Sequence, residues 1–157
     1  MKNNQTSLPR EKARFVLNLY SNRQFQEAVD KIKSLNESYP MEPLLFNLIG
    51  ACYKELGQLE GAAKMFEVAV SIKPNYAEAH FNLGVSRKDL GQIEAAIESY
   101  KQAIIITPNY PDAHNNLGKL LFEDGQYKLA IESLEWAVAY KYDFYEAHNN
   151  LGNALNA

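Results

Sequence analysis

One cysteine, Cys52, is all the sequence holds, so no internal disulfide can staple the chain. A reducing compartment suits it, and the cytoplasm is the expected location. Long apolar runs are missing as well: none approaches the roughly eighteen residues of a membrane helix. The N-terminal Met1-Lys2-Asn3-Asn4-Gln5-Thr6-Ser7-Leu8 is polar and lacks the apolar stretch of a secretion signal. Export and membrane insertion are therefore not expected. Neither sign of charge dominates, because 16 Lys and Arg face 19 Asp and Glu, a net charge of -3 scattered along the chain. No basic face exists for a phosphate backbone, which sets nucleic acid aside as a partner. Glycine (8) and proline (6) are sparse, and 46% of the 157 residues are hydrophobic. Those proportions describe a folded chain, not a linker or a low-complexity segment.

What the sequence has is a period. An offset of 34 residues lays Lys73-Pro74-Asn75-Tyr76-Ala77-Glu78-Ala79-His80 on Thr107-Pro108-Asn109-Tyr110-Pro111-Asp112-Ala113-His114, and then reaches Tyr145-Glu146-Ala147-His148. Gly50, Gly84, Gly118 and Gly152 form one column, Gly57, Gly91 and Gly125 a second, and only Gly61 stands outside. An unbroken period of this length marks stacked units, each unable to bury its apolar face alone.

Within a unit the pattern is helical. Phe46, Ile49, Tyr53 and Leu56, then Leu59, Ala62, Ala63, Phe66, Ala69 and Val70, recur three and four apart. Gly57-Gln58 divides the two runs and Lys73-Pro74-Asn75 follows the second, so each unit is two helices joined by tight turns, with no strand. Asn75, Asn109 and Asp143 stand where helix N-caps are expected, each ahead of an acidic first turn that suits the helix dipole.

The columns Phe46-x-x-Ile49-Gly50-x-x-Tyr53, then Ala62-x-x-x-Phe66, Ala69 and Pro74, resemble the tetratricopeptide-repeat signature position by position. The next unit offers His80, Leu83, Gly84, Arg87, Ala96, Tyr100, Ala103 and Pro108. The one after it offers His114, Leu117, Gly118, Leu121, Ala130, Leu134 and Ala137, with Tyr142 where proline closes the others. At the N-terminus Lys12, Phe15, Val16 and Leu19 diverge, while Ala28, Ile32, Leu35 and Pro40 stay in register. The resemblance implies an all-α, right-handed α-solenoid of antiparallel helix pairs. Its expected organisation is a flexible segment at 1–8, a divergent repeat at 9–42, repeats at 43–76, 77–110 and 111–144, and a terminal first-type helix at 145–157. Small residues in the glycine and alanine columns let helices approach closely, so most motif positions are structural.

Catalytic chemistry does not emerge from the residues. His80, His114 and His148 share one column of successive repeats, too far apart to reach one metal ion, and are read as large packing residues. Cys52 lies on the apolar side of its helix with no histidine at helical spacing, and is read as a core thiol. Glu55, Asp89 and Glu123 repeat along the solenoid instead of converging. Neither a phosphate loop, a Gly-x-Ser-x-Gly nor a His-Glu-x-x-His is present. No enzyme activity, metal or organic cofactor is expected.

The resemblance instead implies a groove. In the tetratricopeptide family the second, fifth, sixth, ninth, twelfth and thirteenth residues of the first helix usually face a bound segment. The second residues are Leu44, Glu78, Asp112 and Glu146; the fifth include Asn47, Asn115 and Asn149; the sixth are Leu48, Asn82, Asn116 and Asn150; the ninth include Lys119. Asparagine offers donor and acceptor together and can pair with the backbone of an extended peptide whatever its side chains. The amide column resembles the asparagine ladder of O-linked N-acetylglucosamine transferase repeats, and His148-Asn149-Asn150-Leu151-Gly152-Asn153-Ala154-Leu155 is similar to those repeats locally. Duplication alone could also leave identical asparagines, and the dipole alone could place Glu78, Asp112 and Glu146 in first turns. Chaperone-binding relatives grip a carboxylate with lysine and arginine in these columns; here acid and amide stand instead, so a neutral or basic protein or peptide partner is expected.

Two alternatives accompany the adaptor reading. The chain could be the N-terminal module of a larger glycosyl-, sulfo- or methyltransferase, since similar repeats precede such domains. It could also self-assemble as a homodimer through the 145–157 helix, whose Leu151 and Leu155 keep a spacing that earlier repeats cover with a second helix. The aromatics Tyr140, Tyr142, Phe144 and Tyr145 lie near that end, with packing inside the fourth repeat their expected role.

Overall fold

The computed structural model describes residues 7–157. These form nine α-helices: α1 (Arg10–Ser21), α2 (Phe25–Ser38), α3 (Pro43–Glu55), α4 (Leu59–Ile72), α5 (Ala77–Asp89), α6 (Ile93–Ile106), α7 (Pro111–Glu123), α8 (Tyr127–Tyr140) and α9 (Tyr145–Leu155). No strand occurs among the described residues. Each odd helix packs on the even helix after it, and each even helix on the next odd one, so the chain is an all-α solenoid of helix pairs with α9 following the fourth. Of the segment 1–8, residues 1–6 lie outside the described residues; Leu8 is non-helical and packs on the core formed by Val16, Ile32, Leu35 and Leu45.

The turn inside each pair follows from the second glycine column. In the second repeat, Gly57 takes φ 75°, its N–H reaches the Lys54 carbonyl at 3.0 Å, and Gln58 N–H reaches the Tyr53 carbonyl at 2.8 Å. A left-handed residue with those two bonds closes a helix C-terminus, and glycine does so without a Cβ clash. Gly91 and Gly125 repeat the conformation, while the divergent first repeat holds Arg23 there at φ 61°.

The first glycine column sets the distance between helices. A Cβ at Gly50 would meet the Phe66 ring at 2.7 Å, at Gly84 the Tyr100 ring at 2.7 Å, and at Gly118 Leu134 Cγ at 2.6 Å. The large side chain of each second helix therefore lies against bare backbone of the first. Alanines complete the seam: Ala28, Ala62, Ala96 and Ala130, one column, are all fully buried.

Two local expectations need correction. The N-caps of α5, α7 and α9 are Tyr76, Tyr110 and Phe144, without side-chain caps, and not Asn75, Asn109 and Asp143. The helices begin one residue later than the motif suggested, leaving those polar side chains a step outside capping position. Nor does the aromatic group near the end pack as a whole into the fourth repeat. Tyr142 and Tyr145 are 88% and 84% exposed, because the 34-residue period places them in the turn and at the start of α9, beyond the helix seam.

Candidate functional site

The inner face of the solenoid is the face of the first helices. α1 touches α3, α3 touches α5, and α7 touches α9, whereas no second helix comes into comparable contact with another second helix. Side chains of the odd helices thus line one face, with α5 and α7 less closely in contact than the other successive first helices, and the even helices splay on the outside.

Two amide pairs cross this groove from repeat to repeat. Asn82 Nδ2 donates to Asn47 Oδ1 at 3.1 Å, and Asn150 Nδ2 donates to Asn115 Oδ1 at 3.0 Å. Asn47 Nδ2 in turn donates to Glu78 Oε1 at 3.2 Å and to the Tyr76 hydroxyl at 3.4 Å. Burial removes Asn47 and Asn115 from the contact surface on which the sequence placed them: they are 2% and 1% exposed, and their carbonyls are occupied by Asn82 and Asn150. The latter two are half-buried and retain groove-facing capacity, since an Asn amide offers two donors and an acceptor and only one donor is used.

Between the pairs the groove changes character. Phe81 stands in the fifth column where asparagine stands in the neighbouring repeats, and its ring lies 5.0 Å from that of Tyr110 and 5.8 Å from that of Tyr100. Asn116, lacking an asparagine one repeat back, donates instead to the Tyr100 hydroxyl at 3.5 Å. Polar, aromatic and polar zones therefore succeed one another along the axis.

Glu78, Asp112 and Glu146 are exposed on the second residues of α5, α7 and α9, and Asn149 and Lys119 are exposed too. The acids act on the groove's tyrosines. Burial, and then Glu78, pushes the Tyr76 phenol up to about 12; burial, Glu78 and Asp112 push Tyr110 up to about 12. Tyr20 is raised by burial, Glu55, Cys52 and Glu78. These groove tyrosines escaped sequence reasoning. The Asn-Tyr pair before α5 and α7 is their signal in the sequence, where its asparagine reads as an N-cap.

The histidine column closes loops. His80, His114 and His148 Nε2 lie 2.8, 2.9 and 2.8 Å from the carbonyls of Pro74, Pro108 and Tyr142, six residues back in each case. Among the described residues no three His, Cys, Asp or Glu side chains group as ligands for one metal ion. Cys52 is fully buried, and burial with Glu55 nearby pushes its thiol up to about 11, far from a thiolate nucleophile at neutral pH. At the end of the array Leu151 is half-buried and Leu155 is 62% exposed. A Cβ at Gly152, unlike its column mates, would meet nothing within 4 Å. No helix among the described residues is long and apolar enough to cross a membrane.

Comparison with known proteins places the architecture. The "TPR repeat" profile matches residues 50–91 and 86–125, and the "Tetratricopeptide repeat" profile matches residues 115–157. Anaphase-promoting complex subunit 3 of Dictyostelium discoideum is 34% identical over 56 residues, 36% of this chain and 6% of that protein. The peroxisomal targeting signal receptor of Candida albicans is 31% identical over 67 residues, 43% of this chain and 11% of that protein. The chain thus matches only a small part of either relative. Among solved structures, MamA superposes with a TM-score of 0.82 at 24% identity, covering 88% of this chain and 81% of MamA. YrrB, described as a TPR protein with an unusual peptide-binding site, superposes with a TM-score of 0.81 at 19% identity, covering 98% of this chain and 78% of YrrB. These likenesses establish the solenoid fold, and the two repeat profiles together span residues 50–157: the chain belongs to the tetratricopeptide-repeat family.

Proposed function

We propose that this protein is a non-catalytic adaptor that holds an extended segment of a partner protein in the first-helix groove. Asn82, Asn116 and Asn150 pair with the segment's backbone, while Asn47 and Asn115 hold two of those amides in orientation. The observation that carries this reading is the use of two buried asparagines to position two groove amides. An amide fixed by one donor still presents a donor and an acceptor, the pair that an extended backbone needs. The exposed acids Glu78, Asp112 and Glu146 along the same helices favour a neutral or basic segment over an acidic one. The aromatic zone at Phe81 and Tyr110 receives an apolar side chain between the amide contacts. A targeting-signal receptor and a protein with a peptide-binding site among its similar proteins support the reading. The cytoplasm suits its single buried thiol.

The test uses peptides selected from a random-sequence display library on the intact protein. Replacing Asn82, Asn116 and Asn150 together by alanine should weaken a selected peptide at least tenfold, as loss of one to two net hydrogen bonds requires. Unchanged affinity with a folded variant would return the asparagine column to ancestry.

A second reading rests on Gly152. Its column mates each receive a large side chain from a second helix, and Gly152 offers the same bare backbone beside half-buried Leu151 and exposed Leu155. First and second helices of a pair run antiparallel, as two copies of α9 would across a two-fold axis. Each copy's Leu155 would then lie against the other's Gly152, giving a homodimer through 145–157.

A further inference from the structure

The turns that lead into α5, α7 and α9 repeat one arrangement. An aromatic residue closes each of them, Tyr76, Tyr110 and Phe144, and an acid follows two residues later, Glu78, Asp112 and Glu146. Their backbones are alike where they leave the second helix: Lys73, Thr107 and Lys141 have φ of -130°, -132° and -141° and ψ of 87°, 88° and 90°. Each turn is also closed by its column histidine, His80, His114 or His148, on a carbonyl 2.8 or 2.9 Å away.

In two of these three turns the ring carries a cation. Lys73 Nζ lies over the Tyr76 ring, 5.0 Å from its centroid, and Lys141 Nζ lies over the Phe144 ring at 4.5 Å. Both are inside the reach of a cation–π contact, about 6 Å. The middle turn departs from its neighbours. Thr107 stands where they hold lysine, and among the described residues no side-chain cation lies over the Tyr110 ring. A threonine is short and uncharged, so it cannot take the lysine's part.

The surroundings of Tyr110 favour positive charge. Its ring is half-buried and packs on Phe81 at 5.0 Å. Burial, and then the Glu78 and Asp112 carboxylates, push its phenol up, so acids of two successive repeats act at this one ring. Glu78 and Asp112 are both exposed, and among the described residues the salt bridges are Arg87 with Glu67 and Lys88 with Asp89, which leaves these two acids without a cation. The repeat folds with either residue at position 107. The missing lysine therefore leaves a ring and two carboxylates lacking the cation that both neighbouring turns supply for themselves.

We propose that the turn before α7 is a subsite for one basic side chain of the partner segment, the ammonium of lysine or the guanidinium of arginine, seated over Tyr110 as Lys73 and Lys141 are seated over Tyr76 and Phe144. The subsite rests on the groove reading and adds to it the place at which the segment is basic, the seam of the third and fourth repeats beside Phe81. The methylene stem of the side chain lies along the aromatic rings, and its charge stays beside Asp112 and Glu78. At the other two turns the protein's own lysines hold the seat, so the preference falls on this position alone.

The test selects peptides from a random-sequence display library on the intact protein. The selected peptides should share one lysine or arginine in a fixed register. Replacing that residue by norleucine, which keeps an unbranched stem and drops the charge, should weaken binding about fivefold, the gain expected of a partly desolvated cation–π contact. Thr107→Lys installs the residue of both neighbouring turns and supplies the protein's own cation, so on this variant the two peptides should bind alike. Tyr110→Leu should also remove the difference and Tyr110→Phe should keep it, since Phe144 occupies the same column. Neither Tyr110 variant changes the protein's charge at neutral pH, so a loss in Tyr110→Leu reports the ring and not the acids alone. Melting curves show which variants are folded, and Thr107→Lys decides alone where Tyr110→Leu is not. A charge preference that survives Thr107→Lys would overturn the subsite. So would selected peptides that shift the Asn82, Asn116 and Asn150 amides yet share no basic residue, an outcome that leaves the groove reading standing. A library that yields no binding peptide would overturn both.

Discussion

Asn82 donates its side-chain amide to Oδ1 of Asn47, one repeat earlier, at 3.1 Å, and the acceptor is 2% exposed. Removing the donor strands a buried carbonyl, which costs roughly 1–3 kcal/mol, more than loss of an exposed hydrogen bond. Asn82→Ala should therefore destabilise the fold by about 1 kcal/mol or more. Asn116→Ala, which loses only a 3.5 Å contact to the Tyr100 hydroxyl, should cost about 0.5 kcal/mol. Urea denaturation of the two variants checks the order; a reversed order would mean that the Asn47–Asn82 pair does not hold the groove.

The glycine column separates packing from propensity. Gly84→Ala drives a Cβ to within 2.7 Å of the fully buried Tyr100 ring and should destabilise by about 1–3 kcal/mol, the range for overpacking. Gly152→Ala meets nothing within 4 Å and should stabilise α9 by up to about 1 kcal/mol through helix propensity. Thermal melts of both variants would show opposite shifts in Tm.

Much of this was readable before any coordinates. The 34-residue period, the helix pairs and the two glycine columns are local and repetitive, so sequence alone carries them. The groove was legible only as columns. Which asparagines stay open depends on how the first helices of successive repeats pack, and that packing buries Asn47 and Asn115 while leaving Asn82 and Asn150 half-open. Phe81 interrupts the asparagine column, but its tilted packing on Tyr110 needed the turn geometry before α7. The capping residues were misplaced by one position because Asn and Asp preference is a weak signal beside the aromatic that packs there. Arg23 could be aligned with the turn glycines, yet its left-handed backbone is a property of the fold.

Alkaline pH should loosen the fold. Burial raises the Cys52 thiol from 9.0 to about 11, and the Tyr76 and Tyr110 phenols from 10.0 to about 12, with Tyr100 raised as well. Below pH 9 folded and unfolded chains both hold these protons, so the groups contribute no pH dependence. From there upward the unfolded chain ionises first and the folded chain binds more protons, so stability falls as pH rises. Denaturation midpoints measured from pH 7 to pH 12 should be level to about pH 9 and then decline; Cys52→Ala should remove the earliest part of the decline.

Self-association through α9 predicts a concentration-dependent sedimentation coefficient for the 157-residue chain, abolished by Leu151→Lys with Leu155→Lys. A monomer that persists to high micromolar concentration would remove the homodimer reading and leave the groove untouched.

A partner segment lying along the first helices would pair with Asn82 and Asn150, which buried asparagines hold, and with Asn116, which bonds to Tyr100. The most direct measurement of this pairing is a nuclear magnetic resonance titration of the isotope-labelled protein with a library-selected peptide, following the side-chain amide signals of Asn82, Asn116 and Asn150. These three should shift together and saturate with the affinity measured for the peptide, and the buried Asn47 and Asn115 signals should narrow without exchanging partners. Saturable binding that leaves all three groove amides unmoved and shifts only residues of the second helices would place the partner on the outer face and overturn the groove reading.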